Sequence, residues 1–127
     1  MTIQHYKLNI TNLPNYNDGS FLLFKIISSN TTFPYEKLEK VQDDDFFFEE
    51  LSLSDSIMFE NEKRTKKIKR KIRIPQDRDI TSRNVLFIDD EYYKVFNIYH
   101  FKNKDGISQS DITLEEYNNP ILEESRI

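Results

Sequence analysis

Two apolar runs separated by a short acidic segment constrain the fold more than any other part of the sequence. Val85–Ile88 and Tyr92–Phe101 are rich in Val, Ile, Phe and Tyr, the residue types that favour extended strands. Asp89-Asp90-Glu91 lies between them and is short enough to form a tight turn. The pattern predicts a β-hairpin. Apolar residues at both parities of the second run indicate either a central strand or a strand that a partner buries.

Further short runs of strand-forming residues occur along the chain. Ser20–Ser28, Phe46–Leu53 and Asp111–Tyr117 are predicted strands, and Thr2–Ile10 alternates loosely enough to be a first one. Short strands joined by turn residues are typical of all-β domains. We therefore predict one domain, residues 1–127, folded as a small antiparallel β-barrel or sandwich with long loops. The predicted core includes Ile72, Ile74, Val85, Phe87, Val95 and Ile98.

A dense basic segment carries the strongest charge feature. Lys63–Arg73 contains eight positive charges in eleven residues and no acid, although the whole chain has a net charge of −4. Isoleucines alternate with bases up to Pro75, which predicts a strand with one apolar and one basic face. The predicted basic face, an interface or channel surface, consists of Lys67, Lys69, Lys71 and Arg73. The alternative is the solvated outer face of an edge strand, where lysines prevent unwanted strand pairing.

Polar segments predict the long connections. Ser29–Asp45 is predicted to be a long loop with at most one helical turn at Tyr35–Val41, and residues 118–127 are predicted to be a tail. We expect this loop to be mobile in the isolated protein and ordered in an assembly. Its acidic end, Asp43, Asp44 and Asp45, makes it a candidate plug or docking loop.

The sequence offers little for catalysis. The chain has no cysteine, which excludes disulfides and cysteine-based zinc sites. His5 and His100 lie in different segments without metal-ligand spacing, and there is no glycine-rich phosphate loop or nucleophile elbow. We therefore predict no catalytic residue, no metal, no cofactor and no enzymatic activity. The longest apolar stretch is too short to span a bilayer, so a membrane partner is not expected.

Aromatic clusters leave two interpretations open. Phe46-Phe47-Phe48 and Tyr92-Tyr93 can stack on single-stranded nucleic acid while the basic strand contacts phosphates, or they can build the core and a subunit interface. The acidic residues Glu115 and Glu116 complement the basic strand in sign. Head-to-tail contacts between such surfaces close into rings of identical subunits.

Six segments between Phe48 and Tyr117 carry a family resemblance. They are Glu49–Asp55, Lys71–Gln76, Ile80–Ile88, Tyr93–Phe101, and Lys104–Gly106 followed by Ser110–Leu114. Their order gives a basic strand, an Ile-Thr connection, an apolar strand, a short turn and a Tyr-x-Val-x-x-Ile strand. This scheme resembles the small head-completion, or head-closure stopper, proteins of the head–tail connector in long-tailed phages of Gram-positive bacteria.

The resemblance implies a structural virion protein that forms a ring below the portal, closes the DNA-filled head and docks the tail. The implied partners are further copies of the chain, a portal or adaptor protein, a tail terminator or tail protein, and packaged double-stranded DNA in the channel. Assembly would take place in the host bacterial cytoplasm. Two alternatives remain open: a small nucleic-acid-binding β-barrel protein, and a host-directed inhibitor whose acidic runs imitate nucleic acid.

Overall fold

The computed structural model describes residues 14–28, 35–41, 44–118 and 120–121. The predicted strand Thr2–Ile10 lies outside the described residues. Those described form seven strands and one short helix. In chain order these are β1 (Gly19–Ser28), β2 (Glu36–Lys40), β3 (Phe46–Leu51), α1 (Asp55–Asn61), β4 (Ile68–Pro75), β5 (Asn84–Ile88), β6 (Glu91–Lys102) and β7 (Ser108–Glu116).

Six of the strands close into an antiparallel barrel, which confirms the predicted all-β class. Their order is β1-β3-β4-β7-β6-β5, and pairing of β1 with β5 completes the circle. The strand β1 is shared between several partners: Gly19–Phe21 pairs with β3, Leu22–Lys25 with β5, and Phe24–Ser28 with β2. The strand β2 is therefore an addition to the barrel, hydrogen-bonded to the far end of β1.

The predicted hairpin is present as β5 and β6. Cross-strand pairing runs from Val85 opposite Lys94 to Ile88 opposite Glu91, so the turn contains only Asp89 and Asp90. These two residues have positive φ angles of 50° and 66°. Positive φ at both central positions is the type I′ geometry, which aspartate tolerates better than most residues with a side chain.

The barrel interior holds the main hydrophobic core. Phe21 and Phe48 lie in it together with buried isoleucine, leucine and valine residues from β4 to β7. A second, smaller cluster lies beneath β2. Of the predicted core residues, Ile72, Ile74 and Val95 belong to the barrel core and Val85 to the second cluster, while Phe87 and Ile98 are half-buried and pack against these clusters.

The prediction of a long loop at Ser29–Asp45 with at most one helical turn at Tyr35–Val41 is wrong in its middle, where the strand β2 lies. Leu38 is fully buried opposite Ile26, and Lys25 on β1 forms a 3.0 Å ion pair with Glu39. Four charged residues around a single leucine concealed the strand in the sequence. Residues 29–34 and 42–43 lie outside the described part.

The predicted tail, residues 118–127, contacts β2 near its start. The carbonyl of Ile121 accepts a 2.7 Å hydrogen bond from the backbone amide of Leu38. The chain after β7 therefore returns to β2 and contacts it.

The connection from β3 to β4 contains α1. The Ser54 side chain caps the helix by accepting a 3.2 Å hydrogen bond from the amide of Ile57. At the other end, the Asn61 side chain exchanges two 2.9 Å hydrogen bonds with the backbone of Ile68. These contacts hold α1 against the start of β4, although none of the seven helical residues is buried.

Candidate interaction surface around the basic strand

The basic segment forms β4, which pairs with β3 on one side and β7 on the other. Ile72 lies opposite Ile112 in the barrel, as the alternation predicts. A register shift between Ile68 and Arg70 places Lys69 at a β-bulge. Because a bulge changes which face a side chain joins, the regular alternation holds only from Arg70 onward.

Arg70 shares the parity of the isoleucines and turns toward one end of the barrel, where its side chain is only 18% exposed. Its guanidinium lies 5.6 Å from the Phe48 ring centre and 5.7 Å from that of Tyr93. It pairs with the carboxylate of Glu50 and, at 3.1 Å, with that of Asp89. Burial by itself lowers the pKa of Arg70, but the hydrogen bonds to these carboxylates outweigh it and raise the pKa. The charge therefore persists at every pH of interest.

Arg73 lies on the outer face of β4, where the sequence predicted it, but its charge is matched. Its Nε and one terminal nitrogen donate to the two carboxylate oxygens of Asp111 at 2.7 and 2.9 Å. This bidentate pair raises the pKa of Arg73. The guanidinium also lies 5.0 Å from the ring centre of Phe101. Arg73 therefore joins β4, β7 and β6 rather than presenting a free charge.

Arg64, just before β4, is likewise paired with a carboxylate and lies beside an aromatic ring. It donates to Glu115 at 2.8 Å and lies 4.6 Å from the ring centre of Phe96. Each of the three arginines in the basic segment is thus paired with a carboxylate from another strand. The arginines stabilise the barrel and contribute little net charge to its surface.

The lysines are placed differently. The Nζ of Lys67 donates to the carbonyl of Asn61, so this side chain helps to hold α1. Lys69 is exposed at the rim of a cleft of about 350 Å³ that it shares with Tyr92 and Tyr117. Lys71 is half-buried opposite Leu51 and Thr113. Within the described ranges, neither Lys69 nor Lys71 is within ion-pair distance of an acid.

The four predicted site residues therefore do not form a uniform exposed face. Lys69 and Lys71 carry the unmatched charge, while Lys67 and Arg73 are engaged within the molecule. Their role in an interface or channel stays a prediction. Arg70 was absent from the predicted set, although its parity with Ile72 would have revealed its inward position.

The acidic candidate loop is described only in part. Asp44 and Asp45 are exposed immediately before β3, and Ser20 Oγ donates to Asp45 Oδ2 at 3.3 Å. Asp43 lies outside the described residues. Their role as a plug or docking loop stays a prediction.

The aromatic clusters belong mainly to the core. Phe48 and Tyr93 are buried, and the Phe46 ring stacks on Phe21 with 4.9 Å between ring centres. Tyr92 packs against the second cluster. Phe47 is the exception, because 61% of it is exposed.

An exposed apolar surface surrounds α1, and the sequence analysis missed it. We call this the α1 patch: Met58, Phe59, Lys63, Arg64 and Phe96. Phe59 is 62% exposed, and the Lys63 ammonium lies 5.4 Å from its ring centre. Seven residues span only two helical turns, so no clear periodicity marked the segment. The three adjacent apolar residues Ile57-Met58-Phe59 were the only indication in the sequence.

The described residues contain one serine–histidine contact. His100 Nδ1 lies 2.7 Å from Ser110 Oγ, which also accepts a 3.3 Å hydrogen bond from the amide of Asp77. Because Ser110 has no exposed surface, this hydroxyl joins the strands and does not meet a substrate. In the part of the chain that is described, no group of three or more acidic or histidine side chains is arranged to hold a metal ion.

The surface can bind through unmatched lysines and exposed aromatic rings. Among the described residues, no helix has the length and apolar content needed to cross a membrane. No protein-family model matches the chain, and no curated protein matches it either.

Proposed function

We propose that this protein is a structural subunit of a phage head–tail connector. In this proposal it forms a ring below the portal, closes the DNA-filled head and docks the tail. The observation that carries the proposal is a closed barrel with several large hydrophobic side chains facing solvent. Phe47, Phe59 and Tyr99 are each more than half exposed. Single exposed apolar residues are ordinary, but a grouped set such as the α1 patch marks a surface that another protein covers.

The resembling segment supports the proposal by its place in the fold. The segments that carry the likeness lie in β3, β4, β5, β6 and β7, so the likeness runs through five of the six barrel strands. The Ile-Thr connection is a well-ordered turn, because Ile80 is buried and the Thr81 amide donates to Asn84 Oδ1 at 2.8 Å. The likeness therefore falls on structural positions, as expected for an assembly protein.

The unmatched lysines suit a ring around DNA. Lys69 and Lys71 attract phosphates without reading bases, because an ammonium contacts phosphate oxygens in any sequence. Such contacts hold packaged DNA by charge alone and weaken with salt.

A portal-binding experiment tests the proposal. The purified protein is mixed with purified portal and examined by negative-stain microscopy, where a ring on the portal is the expected result. The variant Lys69→Glu/Lys71→Glu should fold, since Lys69 is exposed and the half-buried Lys71 has no ion pair to lose among the described residues. It should reduce the yield of DNA-filled heads in a phage assembly assay.

The matched control is Lys102→Glu/Lys104→Glu, which makes the same charge change at two exposed lysines beside the β6–β7 turn. This control should assemble normally. Absence of any ring on the portal would refute the proposed function.

One observation favours nucleic-acid binding as a second candidate. Tyr99 is 63% exposed and stacks on Phe101 with 5.5 Å between ring centres and an 11° interplanar angle. Arg73 lies beside Phe101 on the same outer face. An exposed ring next to a cation is suited to stacking against a base.

Anisotropy of a labelled single-stranded oligonucleotide at low and high salt tests this candidate. Salt-sensitive binding that falls about tenfold in Tyr99→Ala would support it, since one stacked base is worth roughly 1–3 kcal/mol. No binding by the unmodified protein would remove it.

A further inference from the structure

The strand β2 lies outside the closed barrel and is paired along one edge. It pairs with Phe24–Ser28 of β1, and no strand among the described residues pairs with its other edge. Four of its five residues are charged, and Leu38 is the one that is buried. A strand this short and polar buries little apolar surface of its own, so its stability depends on what covers it.

The backbone amide of Leu38 points away from β1. In an antiparallel pair, successive residues direct their N–H groups alternately toward the paired strand and away from it. Leu38 donates its N–H to the carbonyl of Ile121 at 2.7 Å, so this amide lies on the outer edge of β2. The amides of Lys37 and Glu39 consequently face β1. The chain beyond β7 therefore covers the outer edge at the place where a further strand would pair.

The described residues that follow β7 make a second contact with this region. We call them the strap: Tyr117, Asn118, Pro120 and Ile121. Tyr117 packs against the second cluster, which contains Leu38. Burial and the neighbouring carboxylate of Glu36 raise the pKa of the Tyr117 phenol, as expected for a ring near the start of β2. The strap thus contacts both the cluster beneath β2 and the backbone edge of β2.

The strap is built so that it can open while the barrel stays closed. None of its four residues is buried, and Ile121 is 45% exposed. Segments with few buried apolar contacts open locally far more often than core strands do. The preceding strand β7 is paired with β4 on one side and β6 on the other, so release of the strap leaves its pairing intact.

We infer that the strap is a displaceable cover, which closes the outer edge of β2 and opens independently of the barrel. Opening uncovers the second cluster and leaves an unpaired strand edge, which is a template for pairing with another extended chain. Tyr117 and Asn118 also line the cleft that contains Lys69, so the same opening widens that cleft. The inference goes beyond the proposed function and does not depend on it.

Hydrogen exchange of single amides, measured by NMR and corrected for intrinsic rates, tests the inference in the unmodified protein. Exchange at Leu38 reports opening of the strap, whereas exchange at Lys37 and Glu39 reports separation of β2 from β1. We expect Leu38 to exchange about tenfold faster than the other two, because the strap is the less buried element. Equal rates at the three amides would mean that the strap and β2 open only together, which would overturn the inference.

Removal of the ring that anchors the strap tests its independence from the barrel. Tyr117→Ala should raise the exchange rate at Leu38 by about tenfold more, while the amides of β7 keep their protection. Tyr99→Ala is the matched control, because it removes the same ring from an exposed position on β6. It should leave exchange in β2 unchanged. Unaltered exchange at Leu38 in Tyr117→Ala, or equal acceleration in β7, would contradict the inference.

A milder variant guards against loss of the fold. The Lys66 ammonium lies 5.8 Å from the centre of the Tyr117 ring, so Lys66→Ala should loosen the strap without removing the ring. A fluorescent dye that binds exposed apolar surface gives an independent measurement. Its fluorescence should be about twofold higher or more with Tyr117→Ala than with Tyr99→Ala, and intermediate with Lys66→Ala. Equal fluorescence for all three variants would show that the second cluster stays covered and would refute the inference.

Discussion

The strand β7 and the helix α1 both contact β4, but the side chains of β7 are mostly buried and those of α1 are mostly exposed. In β7 the six consecutive residues from Gln109 to Leu114 are all buried, including the polar Asp111 and Thr113. In α1 no residue is buried, and its largest apolar side chain, Phe59, faces solvent. The comparison shows that a side chain of this barrel is buried when it has a partner within the barrel, whether that side chain is polar or apolar.

The two regions differ because of their partners. Three polar side chains of β7 are buried at low cost because they find hydrogen-bond partners: Asp111 bonds with Arg73, Ser110 with His100 and Gln109 with Tyr16. The helix α1 is attached through polar contacts of Asn61 and Lys67, while its apolar side is left outside. β7 therefore stabilises the monomer, and α1 is available to a partner.

The largest expected effect on stability comes from truncating a buried side chain on the inner face of β7. Ile112→Ala should lower the free energy of unfolding by about 2–5 kcal/mol, because it opens a cavity opposite Ile72 and Ile98. Urea unfolding measures it. The half-buried Ile98 should cost less on the same substitution. Met58→Ala on α1 should change the free energy of unfolding by no more than about 0.5 kcal/mol. If Met58→Ala cost as much as Ile112→Ala, the contrast between the two regions would be refuted.

The polar face of β7 should give the next largest effect. Asp111→Ala leaves the half-buried guanidinium of Arg73 without its two carboxylate bonds, so we expect a loss of about 1–3 kcal/mol in the free energy of unfolding. Partial exposure of the arginine keeps the loss below that of a fully buried pair. The double variant Arg73→Ala/Asp111→Ala should be less destabilised than the sum of the single ones. If the losses of the two single variants simply added, the interaction between Arg73 and Asp111 would contribute nothing to the free energy of unfolding.

A local effect is expected where α1 is attached. Asn61→Ala removes two hydrogen bonds to the backbone of Ile68 and should destabilise the attachment by about 1 kcal/mol. Hydrogen exchange should quicken in α1 while the β7 amides keep their protection. Glu60→Ala, at a neighbouring exposed position, is the control. Faster exchange in β7 would show that the helix is part of the cooperative barrel.

The smallest effect concerns alkaline pH at the end of the barrel that Arg70 closes. Burial raises the pKa of the Tyr93 phenol above its ordinary value of 10.0, although the hydrogen bond from Arg70 opposes this. The folded state thus holds the proton more tightly than the unfolded chain. Stability should be complete below pH 10.0 and decline as pH rises through the folded pKa. Thermal melts of wild type and Tyr93→Phe should differ in slope only above that pH; parallel slopes would contradict the assignment.

Much of the fold could be predicted because local patterns and tertiary structure agree. The runs at Val85–Ile88 and Tyr92–Phe101 carry strand-forming residues on both sides of a two-aspartate turn, and they form β5 and β6. The candidate site was predictable only in outline. Alternation placed Arg73 outside and Ile72 inside, but it said nothing about the carboxylates that neutralise each arginine, because those acids come from distant strands.

The sequence by itself determined the all-β class, the hairpin and the apolar face of β4, since a period of two is a local property of the chain. Tertiary structure alone decided that β1 closes the barrel on β5 and that the charged segment Glu36–Lys40 becomes a strand around Leu38. It also decided the bulge at Lys69, and it decided that, within the described residues, the three arginines of the basic segment meet carboxylates while Lys69 and Lys71 do not. These features depend on pairing between residues far apart in the chain, and no local pattern records which partner a strand or a charge will meet.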